Sequence, residues 1–327
     1  MRKFLGTGAG VIAAAALVLG LAACSGKTAD GGSGSDDKGG AITLTTTAGD
    51  VSLDKPAVKV VALEWTYVED LLAIGVTPVG VADIKGYDTW VTAGARVPEG
   101  VKDVGTRQEP SIEEIRALAP DLIVTDEDRV ATNRDALAEI APLATYSYTK
   151  DPEGQFAGMR RIVQQMGLAT GKTAEAEQVL TDLDTKIATA TETVTAKGET
   201  AAPFALSQVF TTNGTPQFRM MTEKSLAGEV IAKTGLANTW NGEPDAWGMT
   251  TVTVEGLTAV PGEASFLYVA ADADNPVTGA LADNELWTDL DFVKAGAVKP
   301  LDPGTWFFGG PLSCGQIVDE TVKALTA

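Results

Sequence analysis

The sequence predicts an α/β fold built as two lobes, each a parallel sheet with helices on both faces, joined by one long helix. Three observations predict it. Short apolar strands alternate with amphipathic helical stretches along most of the 327 residues, the pattern of sheets buried on both faces. The folded part is about twice a typical domain length. Between its halves, TAEAEQVLTDLDTKIATATETVTAK, from Thr173 to Lys197, contains nothing strand-like. In it Val179, Leu180, Leu183 and Ile187 share one helical face, and ~1.5 Å per residue makes a rod of roughly 35 Å.

The elements follow in order. Residues 1–23 read as a secretory signal: Arg2 and Lys3 are the basic region and Val11 to Ala23 the apolar one, too short for the ~20 residues of a spanning helix. Leu21-Ala22-Ala23-Cys24 resembles a bacterial lipobox, in which Cys24 takes the lipid and becomes the first mature residue. Residues 24–41, beginning CSGKTADGGSGSDDKGG, form a lipidated flexible tether, having no apolar side chain larger than alanine beyond the cysteine up to Gly40. The N-terminal lobe covers 42–172, with strands at Val58–Leu63, Val79–Ala82, Leu122–Thr125 and Leu143–Tyr146. The linking helix is 173–197. The C-terminal lobe covers 198–327, with strands at Phe204–Val209, Gln217–Met220, Phe266–Ala270 and Ala297–Leu301. Ser111-Ile112-Glu113 before one strand and Thr253-Val254-Glu255 before another hint at duplicated lobes.

Composition narrows function. A net charge of −19, more negative once Arg2 and Lys3 are removed, argues against nucleic acid and against electrostatic membrane binding. There is no histidine, which excludes a Ser-His-Asp triad and a histidine-ligated zinc or haem. Of two cysteines, Cys24 is assigned to lipid, so Cys314 has no disulfide partner and reads as a small core residue.

In GTRQEPSIEEIRALAPDLIV, Ser111 is an N-cap and Glu114, three residues on, completes a capping box. Glu113 has no such task and is free to face outward. Thr253 and Glu255 stand at the matching place in the second half. Either glutamate alone reads as a surface carboxylate beside a helix start; the matched pair points to docking. Arg107 precedes the first of these helices and Arg129 follows the next strand. Both should reach the carboxyl edge of a parallel sheet, where open α/β sheets bind ligands. Arg219 is the one arginine after Pro203. Each could be a surface ion pair; three at cleft edges favour an anionic ligand. Trp65 and Tyr67 in ALEWTYVED, Trp247 in GEPDAWGMTT and Trp306 in DPGTWFFGG are rings near turns, suited to a ligand platform, although Trp65 reads equally as core.

The runs KVVALEWTYVEDLLAIGVTPVGVAD, GTRQEPSIEEIRALAPDLIVTDEDR, RDALAEIAPL and WFFGGPLSC resemble the ferric-siderophore substrate-binding lipoproteins of ABC importers, the ferric dicitrate branch first and the ferrichrome-type next. The resemblance covers nearly the whole chain after the tether. It implies two Rossmann-like lobes joined by a long helix, with the ligand cleft between them. It places Arg107, Arg129, Arg219 and Trp247 at that cleft; Trp65, Tyr67 and Trp306 join them around the ligand as rings near turns. It makes Glu113 and Glu255 contacts for the permease, one per lobe.

The expected function is capture of an iron(III)–siderophore complex by a monomeric receptor. Its lipid on Cys24 would hold it at the outer face of the cytoplasmic membrane, where it hands the complex to an ABC permease. No chemical step, cofactor or protein metal ligand is expected. Rival readings are a haem or cobalamin receptor of the same fold, with Tyr67 or Tyr87 available to haem iron, an extracytoplasmic metal-dependent enzyme, and a surface adhesion protein.

Overall fold

A computed structural model describes residues 41–94 and 96–326. The expected signal segment, Cys24 and the tether as far as Gly40 lie outside the described residues.

A hairpin of β1 (Ile42–Thr46) and β2 (Gly49–Leu53) opens the fold. Its buried Leu44 and Leu53 seat it on the N-terminal lobe, and its Thr47 amide donates to Thr145 O at 2.9 Å. Then follow β3 (Val60–Ala62), α1 (Trp65–Ala73), β4 (Gly80–Val81), α2 (Ile84–Trp90) and β5 (Lys102–Asp103). Next come α3 (Ile112–Leu118), β6 (Leu122–Asp126), α4 (Arg134–Ala138) and β7 (Leu143–Tyr146). The five strands β3 to β7 pair in the order β5-β4-β3-β6-β7, all parallel. β3 and β6 are buried along their whole length, which is why they read as continuous apolar runs.

The first lobe ends with α5 (Gln155–Thr170), and the long α6 (Thr173–Lys197) leads to the second. The buried stripe of α6 is Ala176, Leu180, Leu183, Ile187, Ala190 and Val194, a spacing of alternating four and three residues that suits a seam against neighbouring helices. Val179 stands outside that stripe, half-buried.

The second lobe contains β8 (Pro203–Thr212), β9 (Thr215–Met221), α7 (Leu226–Ala232), β10 (Ala237–Asn238) and β11 (Met249–Val252). It continues with β12 (Ser265–Val269), α8 (Glu285–Thr288), α9 (Asp291–Lys294), β13 (Val298–Pro300) and α10 (Pro311–Thr326). Its sheet runs β11-β9-β8-β12-β13, with β10 beside β8. This sheet is mixed, not parallel: β9 is antiparallel to both β8 and β11. The cause is local. Asn213 and Gly214 both have positive φ, 51° and 78°, the two-residue turn that folds adjacent strands into a hairpin.

Three clusters form the core. One lies on the outer face of the first sheet, around Val61, Ile115 and Ile123. A second lies in the C-terminal lobe, around Phe218, Phe266 and Trp287. The largest is shared by both lobes: Val60 and Val124 of one sheet, Leu206 and Leu267 of the other, and the inner faces of α5, α6 and α10. Cys314 is buried within it, as a small core residue.

The last helix of each lobe is held by a carboxylate from the first helix of the opposite lobe. Glu69 on α1 accepts from the Ser313 amide at 2.8 Å and the Ser313 hydroxyl at 2.5 Å, at the start of α10. Glu229 on α7 accepts from the Gln155 and Phe156 amides at 3.0 and 2.8 Å, at the start of α5. Only glycine permits this approach. A Cβ on Gly154 would lie 2.7 Å from Glu229 Oε1, and one on Gly309 would lie 2.5 Å from Glu69 Oε2.

Candidate ligand-binding site

The chain leaves β3 at the carboxyl edge of the first sheet through Leu63 and Glu64. Glu64 is the N-cap of α1, and its Oε1 accepts from the Trp65 amide at 2.9 Å. A carboxylate is stabilised at this position by the positive end of the helix. Two guanidiniums converge on it: Arg107 Nη1 at 2.7 Å from Oε1, and Arg129 Nε at 2.5 Å from Oε2. Arg107 arrives in the loop before α3 and Arg129 in the turn after β6. The side chains are 15, 27 and 8 % exposed for Arg107, Arg129 and Glu64, so the pairs are poorly screened by solvent.

These groups form one wall of a cavity of about 500 Å³ between the two lobes. Arg107, Arg129, Arg219, Tyr67, Trp247 and Trp306 all line it, together with Glu64, Asp126, Asp245, Tyr148 and Phe308. On the opposite wall Arg219, within β9, donates to Gln208 Oε1 at 3.0 Å and lies 4.4 Å over the Phe210 ring. Burial lowers its pKa, and Asp245 opposes that shift. An aromatic chain closes one side of the cavity. Trp306 meets Phe308 edge-on at 5.1 Å, Phe308 meets Trp247 at 5.9 Å, and Trp247 meets Tyr148 at 5.9 Å.

Trp65 is not among the lining residues. It is 3 % exposed, donates from Nε1 to Asp83 O at 3.2 Å, and stacks beneath Arg107, whose guanidinium carbon is 3.6 Å from the ring centroid. The side chain that starts α1 packs back toward the sheet, so Trp65 supports a cavity residue from behind. Tyr67 lines the cavity but is 1 % exposed, with its hydroxyl donating to Tyr146 O at 3.0 Å. Burial, with the charges of Asp126 and Glu64, raises its pKa well above the usual range, so it stays a phenol. Tyr87 is fully buried in the first lobe and lines no part of the cavity. Among the described residues no group of three or more Cys, Asp or Glu side chains is placed to hold a metal ion.

Asp126, the last residue of β6, is buried. Burial pushes its carboxyl up to about 6, and the charge on Glu64 adds to the rise. The Asp128 amide, at 2.9 Å, and Arg129 oppose it.

The two paired glutamates lie away from the cavity. Glu113 is exposed on α3 and Glu255 is exposed on a short 3₁₀ turn, Val254–Ala259, not on an α-helix. Thr253 makes no cap; its hydroxyl donates to the Glu255 carboxylate instead, which lowers the Glu255 pKa. Only half of the expected capping box forms at Ser111. Its Oγ accepts from the Glu114 amide at 3.3 Å, but its own amide donates to Val104 O at 2.7 Å. The Glu114 carboxylate is paired with Lys102 at 3.1 Å instead.

Residues 60–305 match the Periplasmic binding protein family profile. The chain belongs to that family. This periplasmic binding protein is 31 % identical, over 261 residues, to the iron(3+)-hydroxamate-binding protein FhuD of Escherichia coli, covering 80 % of this chain and 84 % of that one. It is 28 % identical over 287 residues to the Fe(3+) dicitrate-binding periplasmic protein FecB of the same organism, covering 86 and 90 %. Its fold superposes with a TM-score of 0.70 on the Vibrio cholerae siderophore-binding protein FhuD bound to Fe3+–Desferal. That pair is 27 % identical, with 83 % of this chain and 98 % of the other covered. It is a binding protein, not an enzyme.

Glu64, Asp126, Asp245 and Tyr148 are not singled out by the sequence, whereas Phe308 stands beside Trp306 in the same run of rings near a turn. Glu64 and Asp126 had a usable signal, each standing at or just past the carboxyl end of a buried strand of a parallel sheet, where ligand-facing residues collect. Tyr148 had none. Its place depends on its hydroxyl donating to Phe308 O at 3.2 Å, across 160 residues.

Proposed function

We propose that this protein captures a ferric siderophore in the cavity between its lobes and delivers it to the permease of an ABC importer. The observation that carries the reading is the meeting of three guanidiniums from both lobes, Arg107, Arg129 and Arg219, in one cavity walled by Trp247, Trp306 and Phe308. Guanidiniums donate to the hard oxygens that surround chelated iron, and the rings pack against the carbon skeleton of the chelator. The siderophore supplies the whole coordination shell, so the protein needs no metal ligand. The names of the relatives agree with this chemistry.

Glu113 and Glu255, exposed on separate lobes, are the carboxylates that meet the permease. Cys24 carries the lipid that keeps the protein at the outer face of the cytoplasmic membrane. The test of the binding role is a tryptophan-fluorescence titration of the soluble part against ferric siderophores, haem and cobalamin. Saturable quenching by a ferric siderophore, absent with the iron-free chelator, supports the reading. Binding of haem or cobalamin alone defeats it. The anchor is tested by lipid labelling, which Cys24→Ala should abolish; a labelled variant would place the lipid elsewhere.

A further inference from the structure

The charged side chains that line the cavity balance. Three guanidiniums, on Arg107, Arg129 and Arg219, face three carboxylates, on Glu64, Asp126 and Asp245. The arginines of the first lobe are not free for an anion. Arg107 donates to Glu64 Oε1 at 2.7 Å, and Arg129 Nε lies 2.5 Å from Oε2 as an ion pair out of hydrogen-bond alignment. Glu64 cannot swing aside cheaply, because Oε1 also takes the Trp65 amide and Arg107 is seated on the Trp65 ring. An incoming ligand therefore meets two guanidiniums with a fixed negative charge between them. On the far wall, Arg219 is bonded to the neutral Gln208, and Asp245 is locked by the Trp247 and Met249 amides at 2.9 and 3.0 Å on its Oδ1.

On the ferric-siderophore reading above, we infer that Glu64 makes the cavity selective for ferric complexes without net negative charge, the class to which the tris-hydroxamates belong. Each hydroxamate carries one negative charge, so three around Fe3+ sum to zero. Their ligating oxygens still accept hydrogen bonds from guanidinium N–H groups left over after pairing with Glu64. Three catecholates carry two charges each and leave the complex at −3. Such a trianion gains the same donors but has a larger desolvation cost, and a cavity whose three carboxylates offset its three guanidiniums has no net positive charge to compensate it. Glu64 is buried and poorly screened, Asp245 exposed. Glu64 thus has two tasks in one side chain: it aims both guanidiniums and subtracts one unit from their charge.

The experiment measures Kd for the ferric complex of Desferal, a tris-hydroxamate, and for ferri-bacillibactin, a triscatecholate, at low and physiological salt. The proteins are the wild type, Glu64→Gln and Asp245→Asn. Wild type should prefer the hydroxamate complex by about tenfold or more. Glu64→Gln should move the ratio of affinities toward the trianion by about tenfold, less at higher salt. Asp245→Asn keeps the Oδ1 acceptor and leaves Arg107 and Arg129 untouched, so it isolates charge from positioning. It should move the ratio the same way by several-fold. A wild type that binds the trianion as tightly as the hydroxamate overturns the inference. So does an unmoved ratio in Asp245→Asn, even where Glu64→Gln weakens both ligands. Binding of neither complex by the wild type overturns the inference, and the siderophore reading itself falls if no ferric siderophore of the wider titration binds.

Discussion

Glu69 and Glu229 perform the same task for opposite lobes. Each sits on the first helix of its own lobe and caps the start of the last helix of the other, Glu69 at Ser313 and Glu229 at Gln155 and Phe156. The chain crosses between lobes through α6, and both α5 and α10 pack along it. The two carboxylates pin the ends of that helical layer. Glu69 is fully buried, and burial raises its pKa despite the Ser313 bonds.

Glu69→Ala leaves the Ser313 amide and hydroxyl buried without their acceptor and should cost about 2–3 kcal/mol. Glu229→Ala, at a half-buried site, should cost about 1–2 kcal/mol. Denaturant titration checks both. A loss under about 0.5 kcal/mol in either would mean that the shared core holds α5 and α10 without the carboxylates.

Asp126 should make stability depend on pH. Its carboxyl titrates at about 6 in the folded protein, against 3.8 without the fold. Between those values the folded state holds a proton that the unfolded chain has lost, so stability from this group falls as pH rises through the window. Two units correspond to about 3 kcal/mol. Asp126→Asn keeps the Oδ1 acceptor for the Asp128 amide and removes the titration. The variant should be more stable than wild type at pH 7 by up to about 3 kcal/mol, with the gain vanishing below about pH 4. A gain that does not change with pH would contradict the assignment.

Arg107→Ala and Arg129→Ala should each weaken binding of a ferric siderophore about tenfold or more, since a lost contact to a buried charge costs about 2–5 kcal/mol. Each also leaves Glu64 with a single guanidinium beside the Trp65 amide. Trp65→Leu keeps bulk but removes the ring under Arg107; a cation–π contact of about 1 kcal/mol predicts a several-fold loss without direct ligand contact. Unchanged affinity in Trp65→Leu would show that Glu64 alone sets the aim of Arg107.

Glu113→Ala with Glu255→Ala should leave ligand affinity and melting temperature nearly unchanged, because both side chains are exposed, while uptake of the iron complex falls sharply. Glu114→Ala is the control. Its carboxylate pairs with half-exposed Lys102 and closes no capping box, so its loss should cost less than about 1 kcal/mol and leave uptake intact. Normal uptake by the double variant would remove both residues from the permease contact.

The sequence by itself determined the two-lobed α/β plan. Buried parallel strands such as Leu122–Asp126 must be apolar throughout, and the α6 seam must repeat at helical spacing; both are one-dimensional signals. It also placed Arg107 and Arg129 at the cavity, because loops after parallel strands open on one edge. It even held the sign of the β8–β9 turn, in Asn213-Gly214, which makes the second sheet mixed. Only the tertiary structure decided what the arginines meet. Glu64 precedes Arg107 by 43 residues, and nothing local marks it as the partner of two guanidiniums. The same holds for Trp65, whose ring reads alike as platform or core until the packing of α1 on the sheet turns it inward. Ser111 shows the limit at its smallest. Its amide had two possible acceptors, the Glu114 carboxylate and Val104 O, and the strand-to-helix geometry, not the capping motif, chose between them.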